Sequence, residues 1–84
     1  MATIRIILAD DHTVLRTGLK LLIDSQPDFA VVGEAADGEA LLALVARVPA
    51  DVLVLDLSMP RLSGLECIKE LRSRGLDLKI LVLT

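Results

Sequence analysis

Aromatic residues are almost missing from this 84-residue chain: Phe29 stands alone, with no Trp and no Tyr. Stacking platforms for bases or sugars are thereby excluded. Cysteine is nearly absent too, and Cys67 alone can close neither an internal disulfide nor a Cys-rich zinc site. Its solitary use suits a reducing compartment. Positive charge is in deficit. Nine Lys and Arg against 12 Asp and Glu leave a net charge of -3, which gives no electrostatic footprint for nucleic acid. No apolar run approaches the roughly 18 to 20 residues of a membrane span. The opening Met1-Ala2-Thr3-Ile4-Arg5 has no basic region ahead of a cleavage site, so no secretory signal is expected. What remains is abundant Leu, Val, Ile and Ala. At 54% hydrophobic and 25% charged, the composition is that of one small globular domain, expected in the cytoplasm.

The hydrophobic period changes repeatedly along the chain. Ile4 to Ala9 is a short, β-branched apolar run that stops at Asp10-Asp11, as a buried strand does. From His12 to Ser25 the spacing turns helical, with Val14, Leu15, Gly18, Leu19, Leu22 and Ile23 on one side and Arg16 and Lys20 on the other. Asp11 or Thr13 is placed to cap this helix, and Pro27 ends it. Phe29 to Ala35 reads as a second, more polar strand near an edge. Glu39 to Val48 is helical, with Leu41, Leu44, Val45 and Val48 on one stripe. Val52 to Leu55 is a third strand, apolar on both faces, ending at Asp56. Leu65 to Arg74 is a third helix with Leu65, Ile68 and Leu71 inward, closed by Gly75. Leu78 to Thr84 begins a fourth strand, and a strand with no helix after it is the pattern of a piece of a longer domain. Strands joined by helices and apolar on both faces indicate an α/β doubly wound parallel sheet.

In such sheets ligands bind beyond the carboxyl ends of the strands, where the strand order reverses. Asp10 and Asp11 follow the first strand and Asp56 the third. With strand order 2-1-3-4 these three carboxylates converge on one pocket, and Thr84 lies beside Asp56. Clustered carboxylates repel. Either a raised pKa or a hard divalent cation relieves them, and Mg²⁺ suits such a site. A carboxylate there can also become an aspartyl phosphate. A lone Asp after a strand is more often a turn former. The Asp10-Asp11 pair combined with Asp56, which no helix immediately follows, favours a site. His12 reads as a solvent-facing first-turn residue, Cys67 as a small packed side chain, Met59 as loop packing and Arg61 as solvated. Gly64 is expected to serve backbone geometry at a helix start, and Gly33 a close contact or a bulge.

The segments Ile6-Ile7-Leu8-Ala9-Asp10-Asp11-His12, Arg16-Thr17-Gly18-Leu19, Val32-Gly33-Glu34-Ala35-Ala36-Asp37-Gly38 and Asp56-Leu57-Ser58-Met59-Pro60, followed by Ser63-Gly64-Leu65-Glu66, resemble the receiver domain of two-component response regulators. Their wording is closest to the NarL/FixJ (LuxR-type) subfamily, and the likeness runs along the whole chain. The resemblance implies a flavodoxin-like (CheY-like) fold in which residues 1–84 form the N-terminal part of the receiver. It also implies that Asp56 accepts a phosphoryl group from a sensor histidine kinase. Mg²⁺ would be bound by Asp11, Asp56 and the Ser58 backbone carbonyl, with Asp10 acting through a water. Thr84 would touch the phosphoryl group, and Ser58 would tune its hydrolysis.

The chain also departs from that pattern. The family's last α-β-α part and its phosphoryl-pairing Lys are not in this sequence, and neither Lys69 nor Lys79 matches that position. Nor does the sequence hold the C-terminal helix-turn-helix domain of the subfamily. The parent is therefore expected to be a DNA-binding transcriptional regulator, while these residues bind no nucleic acid and no membrane themselves. Self-association through the fourth-strand edge is expected. The chain reads as a signalling module, at most self-phosphorylating and self-dephosphorylating, rather than an enzyme. The alternative is a pseudo-receiver, a non-phosphorylated interaction module. A phosphohydrolase would want a second carboxylate where Ser58 stands, and dinucleotide binding would want a Gly-x-Gly-x-x-Gly turn.

Overall fold

The computed structural model describes residues 2–83, in the order β1 (Ile4–Ala9), α1 (Thr13–Asp24), β2 (Phe29–Ala35), α2 (Gly38–Arg47), β3 (Val52–Leu55), α3 (Gly64–Ser73) and β4 (Lys79–Val82). The strands form one sheet in the order β2-β1-β3-β4, and every pairing is parallel. This is the expected α/β doubly wound, CheY-like arrangement. Thr84, expected at the end of the fourth strand, lies outside the described residues.

Alternation within the strands builds two apolar layers. Ile7, Ala9, Leu53 and Leu55 point to one face, where Leu41 and Leu44 of α2 and Cys67 and Leu71 of α3 cover them. Ile6, Leu8 and Val54 point to the other face, where only Leu19 and Ile23 of α1 reach the cluster from a helix. Side chains such as Leu41, Leu53, Leu55 and Leu71 are fully buried, each contributing about 1.5–3 kcal/mol. The two-helix face therefore carries most of the core.

Gly33 serves both purposes expected of it. The β1–β2 register skips Val32, pairing Ile6 with Val31 and Ile7 with Gly33, so the strand bulges there. A Cβ at Gly33 would also fall 2.9 Å from Leu44 Cδ2. The end of α3 is closed by Gly75 at φ 72, with Gly75 N donating to Arg72 O and Leu76 N to Leu71 O. This double bond pattern needs a left-handed residue, which glycine supplies without strain.

Three local expectations are corrected. The stripe on α1 is wider than its contact: Leu19 and Ile23 pack, whereas Val14 is 88% exposed and Leu15 and Leu22 are exposed as well. Periodicity marks a face, but among the described residues nothing flanks α1 on that side of the sheet. On α3 the buried set is Gly64, Cys67 and Leu71, and Leu65 is exposed. Ile68 and Leu71 face the core as expected, so Leu65 alone departs from the expected stripe, and Gly64 and Cys67 join the buried face. Finally, neither Asp11 nor Thr13 caps α1. His12 holds the N-cap position without a side-chain cap bond, and its ring Nδ1 instead lies 2.9 Å from Asp10 Oδ1.

The opposite end of the sheet is tied by one ion pair. Asp51 Oδ2 accepts from Arg5 N at 2.8 Å, and Arg5 Nη2 donates to Asp51 Oδ1 at 3.2 Å. Asp51 N donates to Arg5 O, and Lys79 N donates to Asp51 O, so Asp51 links β1, β3 and β4. The Arg5 side-chain bond, followed by the Arg5 backbone N–H, holds the Asp51 carboxyl below the ordinary aspartate range. A depressed folded pKa means the contribution is full above about pH 3.9 and is lost as pH falls through the folded value. The melting temperature of Asp51→Asn should therefore lie a constant interval below wild type at neutral pH, and the interval should shrink below about pH 4. Thermal melts showing the same interval down to pH 2 would contradict this.

Candidate functional site

The acidic pocket is assembled by two strand ends. Ladder pairing of β1 with β3 runs from Ile6 opposite Val52 to Ala9 opposite Leu55. It continues one step further, with Asp56 N donating to Ala9 O at 2.9 Å. On the other side of β1, Asp10 N donates to Ala35 O at 3.0 Å, so Asp10 is held as the last residue of the sheet. Asp10 and Asp56 are consequently buried, at 2% and 7% exposure, while Asp11 is exposed at the rim. The pocket thus brings together Asp10, Asp11 and Asp56.

A fourth group belongs with them. One ligand atom from each of Asp10, Asp11, His12 and Asp56 lies within 4.8 Å of the others. His12 Nδ1 is 2.9 Å from Asp10 Oδ1, 3.2 Å from Asp11 Oδ1 and 3.5 Å from Asp56 Oδ2. The reading of His12 as merely solvent-facing is half right. Its side chain is 64% exposed, yet its ring nitrogen rests on all three carboxylates. The Asp10 hydrogen bond, then the Asp11 charge, push the imidazole pKa above its ordinary value. The available signal was adjacency to the paired acids, which places the ring over the pocket once the chain turns into α1.

Each carboxylate has a distinct surrounding. Asp10 Oδ1 accepts the His12 N–H, while Asp10 Oδ2 is buried with no hydrogen-bond partner. Asp56 Oδ1 accepts from Ser58 N at 3.0 Å, which orients the carboxyl within its own turn. The Ser58 residue is exposed at the pocket mouth. A buried oxygen without a donor, set among other carboxylates, is the environment of a hard cation, so the donor set fits Mg²⁺. Arg16, read from periodicity as lying on the solvent side, is also near the pocket. It donates from Nη1 to the Asp10 carbonyl and pairs through Nε with Glu34 Oε1 at 3.1 Å.

The loop after Asp56 is held from several directions. Met59 is buried in the main core, as expected of a packing residue. Arg61 has φ 71, a left-handed conformation unusual for a long side chain, and its Nε lies 3.7 Å from Asp37 Oδ2. Ser63 and Glu66 form a reciprocal capping box that starts α3. Gly64 N donates to Leu57 O, and a Cβ on Gly64 would fall 2.6 Å from Leu57 Cα and 2.8 Å from Asp56 O. Only glycine allows α3 to lie this close to the backbone that carries Asp56. Cys67 packs beneath, buried as expected of a small core side chain, and desolvation raises its thiol pKa.

Residues 6–84 match the response regulator receiver domain family. The nitrate/nitrite response regulator protein NarL of Escherichia coli (strain K12) is 47% identical over 77 residues, covering 92% of this chain and 36% of that protein. The transcriptional regulatory protein YdfI of Bacillus subtilis is 39% identical over 80 residues, covering 95% of this chain and 37% of its own length. The chain thus spans little more than a third of the curated relatives it matches. Among solved structures, a two-component response regulator of the LuxR family from Aurantimonas sp. SI85-9A1 superposes with a TM-score of 0.89 at 37% identity. That superposition covers 96% of this chain and 58% of the other. Among the described residues no helix is long and apolar enough to cross a membrane.

Two outcomes follow from this geometry. Gly64→Ala forces backbone against backbone beside Asp56 and should cost about 1–3 kcal/mol in denaturant unfolding, since the neighbour cannot rotate away. An unchanged midpoint would show that the loop yields freely. In an NMR titration without divalent cation, the His12 ring should titrate above the ordinary histidine value of about 6.5. Asp10→Asn should remove the larger part of that elevation, and an unmoved midpoint in the variant would assign it elsewhere.

Proposed function

The chain belongs to the response regulator receiver domain family, of the NarL/LuxR type, and on that premise we propose that Asp56 accepts a phosphoryl group from a phosphohistidine of a sensor histidine kinase. The observation that carries this reading is the placement of Asp56: buried at a strand end, oriented by Ser58 N, and facing Asp10 and Asp11 across one pocket.

One Asp56 carboxylate oxygen attacks phosphorus as the P–N bond to the donor imidazole breaks. The electron pair of that bond leaves on the ring nitrogen, which takes up a proton, and an acyl phosphate forms on Asp56. Asp11, Asp56 and the Ser58 backbone carbonyl would hold Mg²⁺, with Asp10 acting through a water. When bound, the ion offsets the repulsion between the acids and the incoming phosphoryl oxygens. The chain's own groups do the rest. Burial keeps bulk water from Asp56, and the Ser58 N–H fixes its orientation. His12, whose ring rests on the same three carboxylates, would share them with the ion. Thr84 is assigned the contact to the phosphoryl group, and Ser58, at the pocket mouth, the tuning of its hydrolysis.

A receiver domain is a signalling domain, and its chemistry here is confined to gaining and losing the phosphoryl group. The relatives named as transcriptional regulatory proteins support a whole protein that regulates transcription, and we assign DNA binding to a C-terminal helix-turn-helix domain and the meeting with the kinase to residues 1–84.

Incubation of the full-length protein with a small phosphodonor and Mg²⁺ should add one phosphoryl group by intact mass, and Asp56→Asn should remove it. Asp11→Ala should raise the Mg²⁺ concentration needed about tenfold or more. Wild-type labelling of Asp56→Asn would overturn the acceptor assignment.

A further inference from the structure

The start of α1 lacks the usual means of being held in place. Its N-cap, His12, makes no side-chain cap bond, and its first turn contains no acidic residue. Yet the segment leading into it carries Asp10, Asp11 and His12, and the two acids must keep their positions against mutual repulsion. The Asp10 carbonyl points beyond the last ladder bond of β1. The group that meets it is the Arg16 guanidinium, from one turn into the helix. The same guanidinium is braced from the other side by Glu34 of β2, at 3.1 Å. Although Arg16 is charged, its side chain is only 17% exposed. A planar guanidinium with Nη1 donating to a backbone carbonyl and Nε to a carboxylate defines both direction and distance, which a flexible ammonium does not.

We propose that Arg16, braced by Glu34, is a positioning residue for the acidic pocket. It clamps the Asp10 carbonyl and so sets the turn from which Asp10 and Asp11 present their carboxylates. This proposal rests on the receiver reading for its phosphotransfer consequence, but its first consequence is for cation binding and stands without phosphotransfer.

The sign of the effect separates positioning from simple charge. Arg16 is a cation beside a cation site, so removing its charge alone should tighten Mg²⁺ binding. Loss of positioning should weaken binding, by about tenfold as for other groups that orient metal ligands. The test is calorimetric titration of Mg²⁺ into the unphosphorylated full-length protein, with Arg16→Gln, Arg16→Lys and Glu34→Gln. Weaker binding in Arg16→Gln is expected, with partial recovery in Arg16→Lys, which keeps the charge but not the fork, and a smaller loss in Glu34→Gln. Amide shifts of Asp11 and His12 should move in all three variants. Tighter or unchanged Mg²⁺ binding in a folded Arg16→Gln overturns the proposal. If that variant does not fold, wild-type affinity in both Arg16→Lys and Glu34→Gln overturns it equally. Labelling by a phosphodonor is read separately. A wild type that binds Mg²⁺ but takes no phosphoryl group counts against the receiver reading and leaves the calorimetric result to decide the role of Arg16.

Discussion

The parallel pairing of β1 with β3 is the constraint on which the rest depends. These strands are far apart in sequence, and α1, β2 and α2 intervene between them. Their register places Ala9 beside Leu55, and the next peptide, Asp56 N to Ala9 O, carries the ladder to the edge of the site. A slip of one residue would turn Leu53 and Leu55 out of the two-helix core and swing Asp56 to the wrong face. The hydrophobic pattern that specifies the core therefore also specifies where the acids meet.

That convergence is costly in isolation. An unpartnered buried oxygen such as Asp10 Oδ2 costs about 1–3 kcal/mol, and the neighbouring carboxylates add repulsion. Two side chains of different kinds stand against this. His12 lies on the acids themselves, through a ring nitrogen that remains at the exposed rim. Arg16 lies behind them, bonded to backbone and to Glu34 rather than to the pocket carboxylates.

The two faces of the sheet are unequal, and the site depends on the better packed one. Met59, Cys67 and Leu71 lie in the core formed with α2 and α3, and the loop carrying Asp56 is pinned there by Gly64 and by the capping box of Ser63 with Glu66. On the other face α1 touches the sheet through few side chains. The turn leading into α1 thus gains little rigidity from packing, which is why polar contacts at Arg16 and Asp10 matter there.

Much of this was determined by sequence alone. The bounds of β1, β2 and β3 follow from short apolar runs that end at acids, Gly or Pro. The parallel, doubly wound class follows from strands apolar on both faces. Asp10, Asp11 and Asp56 stand out because they terminate strands, a local property. Only the tertiary structure decided what depends on rotation and on distant partners. Periodicity defines a stripe on a helix but not its angle. Leu65 is therefore exposed on α3 although Ile68 and Leu71 of the same stripe pack, and Val14 and Leu22 are exposed on α1. His12 joined the site as the neighbour of the paired acids, whereas Arg16 joined it through contacts to the Asp10 carbonyl and to Glu34 of β2, which no spacing rule encodes.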